Sequence, residues 1–266
     1  MPRLAVLGHP VGHSRSPAMQ DAALAELGLG GEWSYEAIDV APDALEARVQ
    51  AMPGEGFVGA NVTVPHKAAA LALADELSET AREIGAANTL VFAEGEIRAE
   101  NTDAEGLLRA LPGSPSGKRA LVLGAGGAAR AAVWALLREG AEVAVWNRTG
   151  LRSRNLCEEL GGDPVAEPDQ GTFDLIVNST AVGLGGEDPF AELPLDPDGF
   201  SADQDVVDMV YGAEPTALLR AAQAAGATTV DGLEILVQQG ALSLGIWTGR
   251  KPPLDTMRAA ARSIRR

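Results

Sequence analysis

Gly59-Ala-Asn-Val-Thr-Val-Pro-His-Lys67 is the stretch from which we predict the fold, because it carries a buried strand into a helix. Phe57 and the valines at positions 58, 62 and 64 favour a strand. Pro65 ends that strand, since proline has no N–H for the ladder, and it suits the first position of a helix. Residues 68–77 form a helix-favouring run, so Lys67 is predicted in the first helical turn.

Lys67 is unusual if stability alone is considered, because a helix N-terminus already carries about half a positive charge. The chain has only three lysines against 18 arginines. Unlike arginine, lysine can give up its proton in a protein. We therefore predict an acid–base function for Lys67. The alternative is that its ammonium simply extends to solvent.

The bulk composition indicates a globular protein of one large or two small domains. The chain has 266 residues, 46% of them hydrophobic, and a formal net charge of −16. Such an acidic chain argues against nucleic acid or an anionic membrane as the main partner. Cys157 is the single cysteine, which excludes an internal disulfide and fits a reducing compartment. With no signal-like N-terminus and no apolar run of about 18 residues, we expect a soluble, cytoplasmic protein.

The N-terminal part of the chain alternates between strand and helix patterns, which predicts an α/β domain with a largely parallel sheet. A hairpin is expected through Glu94-Gly95. The other expected elements are strands at Leu4–Gly8 and Trp33–Val40 and helices at Ala18–Gly28 and Pro42–Met52.

A polar turn follows the first strand and contains Ser14, Arg15 and Ser16. Ser16 can cap the helix that begins at Pro17. Two hydroxyls around an arginine ahead of a helix could instead bind an anion. The spacing alone leaves both interpretations open.

A second polar turn, Asn101-Thr102-Asp103, follows the hairpin. Thr102 and Glu105 have the capping-box spacing, and a carboxylate at Asp103 suits a helix N-terminus. Asp103 therefore has a sufficient structural explanation before any function is considered.

The most linker-like segment of the chain is Leu111-Pro-Gly-Ser-Pro-Ser-Gly117. We place the domain boundary there. The expected parts are residues 1–111, residues 112–232 and a C-terminal helical part at 233–266.

Beyond the linker, the pattern is typical of a dinucleotide site. A strand at Arg119–Leu123 leads through Gly124-Ala-Gly-Gly-Ala128 into an apolar helix, and a second strand follows at Glu142–Trp146. This G-x-G-x-x-A turn lies in a unit of about thirty residues and predicts a Rossmann-type, doubly wound sheet. Its glycines allow a tight turn and let the backbone approach a pyrophosphate at the helix N-terminus.

The end of the second strand selects the cofactor. NAD enzymes usually place Asp or Glu there for the ribose 2′-hydroxyl, but no carboxylate lies between Val143 and Arg154. The segment is Asn147-Arg148-Thr149, with Arg152 close behind. Arginines suit a 2′-phosphate through bidentate contacts, so we predict NADP. The alternative is that they are solvated residues at a helix start, which the helix dipole disfavours.

The remaining chain continues the strand and helix alternation. Two glutamines, Gln238 and Gln239, lie on a largely apolar helix and could simply face solvent. The three histidines are too few and too scattered to predict a metal site. The further expected elements are strands at Phe173–Val177, Asp205–Tyr211 and Ala227–Val230 and helices at Thr216–Ala225, Leu233–Trp247 and Leu254–Arg265.

Taken together, these motifs resemble the shikimate dehydrogenase family over essentially the whole chain. The resemblance implies reversible reduction of 3-dehydroshikimate to shikimate with NADPH, in the biosynthesis of aromatic amino acids. It also implies an N-terminal substrate domain, a Rossmann domain and C-terminal helices that return to the substrate domain. The motifs that carry it are Ser14-Arg15-Ser16, Asn61–Lys67, Ala87-Asn88-Thr89, Asn101-Thr102-Asp103, Gly124–Ala128, Asn147-Arg148-Thr149, Asp208–Tyr211 and Asp231-Gly232 with Gln239.

The same resemblance assigns roles by motif. Lys67 and Asp103 would be the catalytic pair. The substrate site would be lined by Ser14, Ser16, Thr63, Lys67, Asn88, Asp103, Tyr211 and Gln239, although Gln238 beside Gln239 leaves open which amide faces the ligand. The cofactor would be held by Gly124, Ala125, Gly126, Gly127, Ala128, Asn147, Arg148, Thr149, Arg152, Met209 and Gly232.

Two competing functions remain at this level. One is a quinate/shikimate dehydrogenase that uses NAD, against which the arginines argue. The other is a non-catalytic module that senses shikimate, against which the presence of both Lys67 and Asp103 argues. A monomer and a homodimer are equally compatible with the sequence.

Overall fold

The computed structural model describes residues 1–263, and residues 264–266 lie outside the described part of the chain. The chain forms two compact units. The first unit comprises Met1–Gly106 together with the residues from Leu236 onward, and the second unit comprises Leu107–Ile235. Among the described residues, no helix combines the length and the apolar character needed to span a membrane.

The first unit is built on a mixed sheet with the strand order β2-β1-β3-β5-β6-β4. Its strands are β1 (Arg3–Gly8), β2 (Ser34–Asp39), β3 (Phe57–Val62), β4 (Glu76–Leu77), β5 (Thr89–Ala93) and β6 (Glu96–Glu100). Its helices are α1 (Ser16–Glu26), α2 (Leu45–Ala51), α3 (Lys67–Ala72), α4 (Glu79–Ile84), the beginning of α5 (Asp103–Ala110), most of α10 (Gly232–Thr248) and α11 (Leu254–Ser263).

The strand β1 separates two hydrophobic cores in the first unit. Ala5 and Leu7 point into one core, whereas Leu4 and Val6 point into the other. Strand β1 lies between β2 and β3 and is parallel to both. A continuous apolar run is what a parallel strand needs when both faces of its sheet are covered.

The second unit is a parallel sheet with the strand order β12-β11-β10-β7-β8-β9. Strand β7 lies between β8 and β10, so the strand order reverses there, and ligands of such sheets bind at that point. The strands are β7 (Arg119–Leu123), β8 (Glu142–Trp146), β9 (Asp163–Pro164), β10 (Leu175–Asn178), β11 (Asp205–Asp208) and β12 (Thr228–Asp231). The helices are α6 (Gly127–Arg138), α7 (Gly150–Leu160), α8 (Pro189–Glu192) and α9 (Ala217–Ala224).

The two units divide inside α5 and α10, whereas the sequence suggested a boundary at the linker of residues 111–117. The physical reason lies in α5. Its later residues Leu107 and Ala110, with Leu111 after it, pack into the core of the second unit. A hydrophobic helix face therefore lies at this division, and the domain boundary at the linker stays a prediction.

The stretch that ends β3 differs from the sequence prediction in two ways. The helix α3 begins at Lys67 with His66 as its N-cap, so Pro65 lies before the helix and follows a cis peptide bond. The predicted helix over 68–77 is too long, because α3 ends at Ala72 and the short β4 pairs with β6. Long-range strand pairing has overridden the local helix propensity there.

Several further boundaries were missed from the sequence. The short helix α4 and the two-residue strands β4 and β9 carry too little pattern to be recognised. The hairpin prediction is confirmed, since Glu94 and Gly95 adopt φ angles of 56° and 83° between β5 and β6. The last predicted helix is described as far as Ser263, and its end at Arg265 lies outside the described residues.

Candidate functional site

Three strand ends of the first unit bring polar residues together. Asn61 near the end of β3 pairs with Thr89 at the start of β5, and Thr89 pairs with Glu100 at the end of β6. Asn88 precedes Thr89, and Asp103 opens α5 shortly after β6. Antiparallel pairing places the end of one strand beside the start of the next. These groups therefore meet at one edge of the sheet.

Lys67 and Asp103 form an ion pair within this cluster. The Nζ of Lys67 lies 2.5 Å from Oδ2 of Asp103, and each side chain is 13% exposed. The backbone carbonyl of Lys67 accepts a hydrogen bond from the N–H of Ala87 at 2.9 Å, which fixes the start of α3. An ammonium has three donors and this salt bridge uses one. The group can therefore also donate to an oxygen of a bound ligand.

The N-terminus of α5 holds Asp103 in place. The Oδ1 of Asn101 accepts hydrogen bonds from the N–H groups of Asp103 and Ala104 at 3.0 and 3.3 Å. The predicted capping box of Thr102 and Glu105 is therefore wrong. The hydroxyl of Thr102 is instead drawn into the buried polar cluster, so Asn101 provides the cap.

Asn88 connects the ion pair to the protein interior. Its side chain is 2% exposed, and its Oδ1 accepts from the backbone N–H of Thr102 at 2.7 Å. This bond orients the amide so that Nδ2 faces Oδ1 of Asp103 at 2.9 Å and Oε1 of Gln239 at 3.0 Å. Asp103 is thus held on one oxygen by Lys67 and on the other by Asn88.

Gln239 reaches this cluster because α10 crosses α5 very closely. A Cβ built on Gly106 would lie 2.7 Å from the Cβ of Gln239 and 2.9 Å from its backbone nitrogen. Only glycine at position 106 allows this approach. The Nε2 of Gln239 donates to the carbonyl of Leu236 at 2.8 Å, which turns Oε1 towards Asn88. The structure therefore places Gln239 against Asn88, the residue that also bonds with Asp103.

A buried hydroxyl and amide network continues behind Asn88. The hydroxyl of Ser243 lies 2.8 Å from that of Thr89, 3.1 Å from that of Thr102 and 2.9 Å from Nδ2 of Asn61. The hydroxyl of Tyr35 donates to Oδ1 of Asn61 at 2.8 Å. Every member is buried, so each unmade hydrogen bond would cost about 1–3 kcal/mol. The network therefore rigidifies the platform on which Asn88 and Asp103 sit.

The glycine turn of the second unit forms a dinucleotide cradle after β7. Gly124 has a φ of 116°, and a Cβ there would lie 2.8 Å from Oγ of Ser179. Gly124 is therefore required by the chain's own geometry. A Cβ on Gly126 would meet no atom within 4 Å, so packing does not explain that glycine. A pyrophosphate lying against the backbone at the start of α6 does explain it.

A cavity of about 420 Å³ opens beside the end of β8. Arg148 lines this cavity and its side chain is 80% exposed; Arg152, four residues further along the chain, is also exposed. The Nδ2 of Asn147 donates to the carbonyl of Thr149 at 3.0 Å and shapes this turn. The cavity is lined by Trp146, Asn147, Arg148, Thr180, Ala181, Val182, Glu187, Glu192 and Leu193.

Three family models match consecutive parts of the chain. The model described as the shikimate dehydrogenase substrate binding domain matches residues 6–90. The model for shikimate / quinate 5-dehydrogenase matches residues 107–181. The model for the shikimate 5′-dehydrogenase C-terminal domain matches residues 232–262.

Full-length relatives agree with these matches. The chain is 47% identical to the NADP-dependent shikimate dehydrogenase of Thermus thermophilus, over 98% of each chain. It is 44% identical to that of Methanopyrus kandleri, over 96% of this chain and 93% of the relative. The chain belongs to the shikimate dehydrogenase family. The predicted family and its α/β fold class are thereby confirmed.

A solved structure of this family gives the same result. The shikimate dehydrogenase of Thermus thermophilus, crystallised in complex with NADP(H) and shikimate, has a TM-score of 0.89 to this chain at 46% sequence identity. The match covers 98% of this chain and 99% of that chain.

The serine turn of this family member differs from one of the two sequence interpretations, and anion binding there stays a prediction. Ser16 is the first residue of α1 and Arg15 is the N-cap, so the predicted cap at Ser16 is wrong. The guanidinium of Arg15 is buried and donates to the carbonyl of Ala261 at 2.9 Å, which ties the turn to α11. The Oγ of Ser14 accepts from the N–H of Ser16 at 3.2 Å. The serines, without the arginine, are left as candidate ligand groups.

The remaining substrate and cofactor residues that the family resemblance implied are spread over both units. Thr63 is half-buried just after β3, and a Cβ on Gly8 would lie 2.5 Å from its methyl group. Met209 and Tyr211 follow β11 in the second unit, where both are half-buried. A Cβ on Gly232 would clash with the carbonyl of Met209, so that turn also requires glycine.

Asp208 explains why β11 is shorter than predicted. Its Oδ1 accepts from the N–H of Val210 at 3.1 Å and its Oδ2 from the hydroxyl of Thr216 at 2.6 Å, so the chain turns at Asp208 and leaves the ladder. Burial raises the pKa of Asp208, and these hydrogen bonds oppose that shift. The aspartate supports the loop that carries Met209 and Tyr211.

Sequence reasoning missed Ser243, Tyr35 and Glu192. Ser243 lies four residues after Gln239, on the same face of α10, and that helical spacing is a signal that could have found it. Tyr35 and Glu192 carry no such local signal. Each reaches its partner only through long-range packing.

Proposed function

We propose that this chain catalyses the reversible, NADPH-dependent reduction of 3-dehydroshikimate to shikimate, a step in the biosynthesis of aromatic amino acids. The observation that carries the proposal is the ion pair of Lys67 and Asp103, held at 2.5 Å at one edge of the first sheet. The chain also belongs to a family whose relatives are NADP-dependent shikimate dehydrogenases, which supports the proposed reaction. The same relatives confirm the predicted NADP cofactor and oxidoreductase class.

NADPH, when bound, supplies a hydride to the ring ketone. Lys67 would then meet the carbonyl oxygen as negative charge develops, stabilise that charge and donate a proton. Asp103 fixes the ammonium in position through the salt bridge. Asn88 holds the other oxygen of Asp103, so the carboxylate cannot rotate away from Lys67. In the reverse direction, the same lysine accepts the proton of the substrate hydroxyl.

We assign the substrate contacts by chemical type. Shikimate carries a carboxylate and ring hydroxyls. Ser14 and Ser16 would hold the carboxylate by hydroxyl donation. Neutral partners for the ring hydroxyls would come from Thr63, Asn88, Tyr211 and Gln239.

The residues of the second unit fit NADP. The open space over Gly126 suits a pyrophosphate at the start of α6, and the cavity beside β8 has the size of a nucleoside site. Arg148 and Arg152 would bind the 2′-phosphate, with Asn147 and Thr149 shaping the turn. The remaining contacts would come from the backbone of Gly124–Ala128 and from Met209 and Gly232.

The experiment is an NADPH absorbance assay with 3-dehydroshikimate, on the wild type and on Lys67→Ala. Removing the general acid should lower kcat by about 10²–10⁴. The Kd for NADPH should change little, because the lysine lies in the other unit. Lys251→Ala is the matched control, since Lys251 is exposed and remote in sequence. Near-normal turnover by Lys67→Ala, with wild-type circular dichroism, would refute the assignment.

Quinate with NAD remains the second candidate reaction, because one matching model describes shikimate / quinate 5-dehydrogenases. Comparing kcat/KM for both substrates with both cofactors decides between them. A cytoplasmic location, a monomeric or homodimeric state, and the absence of nucleic-acid and membrane partners stay predictions.

A further inference from the structure

The cavity beside β8 contains a carboxylate that the sequence around the arginines does not reveal. Glu192, the last residue of α8, lies far along the chain from Arg148. Its Oε2 accepts a hydrogen bond from Nη1 of Arg148 at 3.0 Å, and both residues line the cavity. The guanidinium proposed for the 2′-phosphate therefore already has an anionic partner within the chain.

A second glutamate of the cavity has a different position. The carboxylate of Glu187 accepts hydrogen bonds from the backbone N–H groups of Gly185 at 3.0 Å and Gly183 at 3.2 Å. The hydrogen bond from its own backbone N–H, followed by those from Gly185 and Gly183, lowers the pKa of Glu187. The carboxylate of Glu187 is thus held by the backbone of its own loop. Glu192 is the carboxylate whose hydrogen-bond partner, Arg148, is also the expected partner of the 2′-phosphate.

We infer that Glu192 limits the preference of this enzyme for NADPH over NADH, by competing with the 2′-phosphate for Arg148. The inference rests on the proposed function, because it assumes that Arg148 binds the 2′-phosphate. A phosphate on Arg148 would lie near the carboxylate and be repelled by it. The 2′-hydroxyl of NADH can donate a hydrogen bond to the same carboxylate. Glu192 therefore disfavours one cofactor without disfavouring the other.

The size of the effect follows from Coulomb's law. Two anions that share one guanidinium are separated by about 6 Å, and the phosphate carries a charge of about −1.5 to −2. In a site as open to water as this one, with Arg148 80% exposed, the dielectric is close to that of water. The repulsion then weakens NADPH binding about fivefold at low ionic strength and about twofold near 0.15 M salt.

The test is Glu192→Gln, with Kd values for NADPH and NADH measured by titrating nucleotide fluorescence. The substitution keeps the side-chain size and removes the charge. The Kd for NADPH should fall about fivefold at low salt and about twofold near 0.15 M salt. The Kd for NADH should change by less than about twofold, since the amide oxygen still accepts a hydrogen bond. Glu192→Ala should tighten NADPH binding in the same direction.

The control is Glu142→Gln, which makes the same change in net charge. Glu142 is exposed at the opposite end of β8, about 13 Å from the cavity end of that strand. An unchanged ratio of the two Kd values in Glu192→Gln would overturn the inference. So would an equal gain for both cofactors, or an equal gain in Glu142→Gln. Failure of the proposed function is seen separately, as a wild-type enzyme that does not turn over 3-dehydroshikimate.

Discussion

Asn88→Asp tests the hydrogen bonds that hold Asp103 in the candidate site, with almost no change in side-chain volume. The Nδ2 of Asn88 donates to Oδ1 of Asp103 at 2.9 Å, and its Oδ1 accepts from the N–H of Thr102 at 2.7 Å. The substitution keeps the second bond and replaces the donor of the first by a carboxylate oxygen. Two carboxylates then face each other in a site where Asp103 is only 13% exposed.

The magnitude follows from that distance. Two unit charges 2.9 Å apart repel by about 6 kcal/mol at an effective dielectric of about 20. The nearby ammonium of Lys67 attracts the new carboxylate and offsets about half of this, which leaves about 3 kcal/mol. About 3 kcal/mol delays the release of a proton by about two pH units. The carboxyl pair of the folded variant therefore keeps one extra proton up to about pH 6.

The sign of the pH dependence follows from linkage. Below about pH 4 both folded and unfolded variants hold the proton, so the charge penalty is absent. Between about pH 4 and pH 6 the unfolded chain releases it and the folded chain does not. The stability of the variant relative to wild type should then fall by about 1.4 kcal/mol per pH unit, to a plateau about 3 kcal/mol lower.

Urea unfolding from pH 4 to pH 8, followed by circular dichroism, measures this difference. Asn155→Asp is the matched control, because Asn155 is exposed on α7 and should show no such pH dependence. A difference between Asn88→Asp and wild type that is independent of pH would refute the reasoning. It would mean that the amide does not face Asp103.

Three further predictions concern other parts of the molecule. Gly106→Ala places a Cβ 2.7 Å from that of Gln239, so α10 must shift by about 1 Å and kcat/KM should fall by about 10². The close crossing would be contradicted if the alanine raised the melting temperature through helix propensity and left kcat/KM unchanged. Arg148→Ala should weaken NADPH far more than NADH in fluorescence titrations, and an equal effect on both would remove the 2′-phosphate assignment. Burial raises the pKa of Cys157 from 9.0 to about 11, so its alkylation by iodoacetamide near pH 8 should be about 100-fold slower than in the unfolded chain. The alkylation rate should rise about tenfold per pH unit, and a rate that does not change with pH would exclude a raised pKa as the cause.

Local sequence patterns predicted the elements whose stability is decided nearby. Strand β1 reads as an apolar run and is buried on both faces. The hairpin turn at Glu94-Gly95 needs left-handed backbone, which the glycine supplies easily. The glycine turn at Gly124 is recognised for the same reason, since its strained φ leaves few other residues possible. Such features depend on a few neighbouring residues, so the sequence displays them directly.

Sequence predictions failed where a residue has a hydrogen-bond partner far away in the chain that replaces the local one. Thr102 has capping-box spacing, but its hydroxyl bonds with Asn88 and Ser243, and Asn101 caps α5 instead. Residues 74–77 favour a helix, but the edge of β6 offers them strand pairing. In each case a long-range hydrogen bond outweighs a local preference of a few tenths of a kcal/mol to about 1 kcal/mol.

By itself, the sequence determined the α/β class, the dinucleotide turn and the identity of the lysine and aspartate proposed for catalysis. Only the tertiary structure decided the partners of the polar groups: Asn88 bonds with both Asp103 and Gln239, and Glu192 bonds with Arg148. The physical reason is that backbone conformation responds to adjacent residues, whereas the partner of a buried polar group is selected by the packing of helices and strands far apart in the chain. The close crossing at Gly106 shows this, because one missing Cβ brings Gln239 into the site.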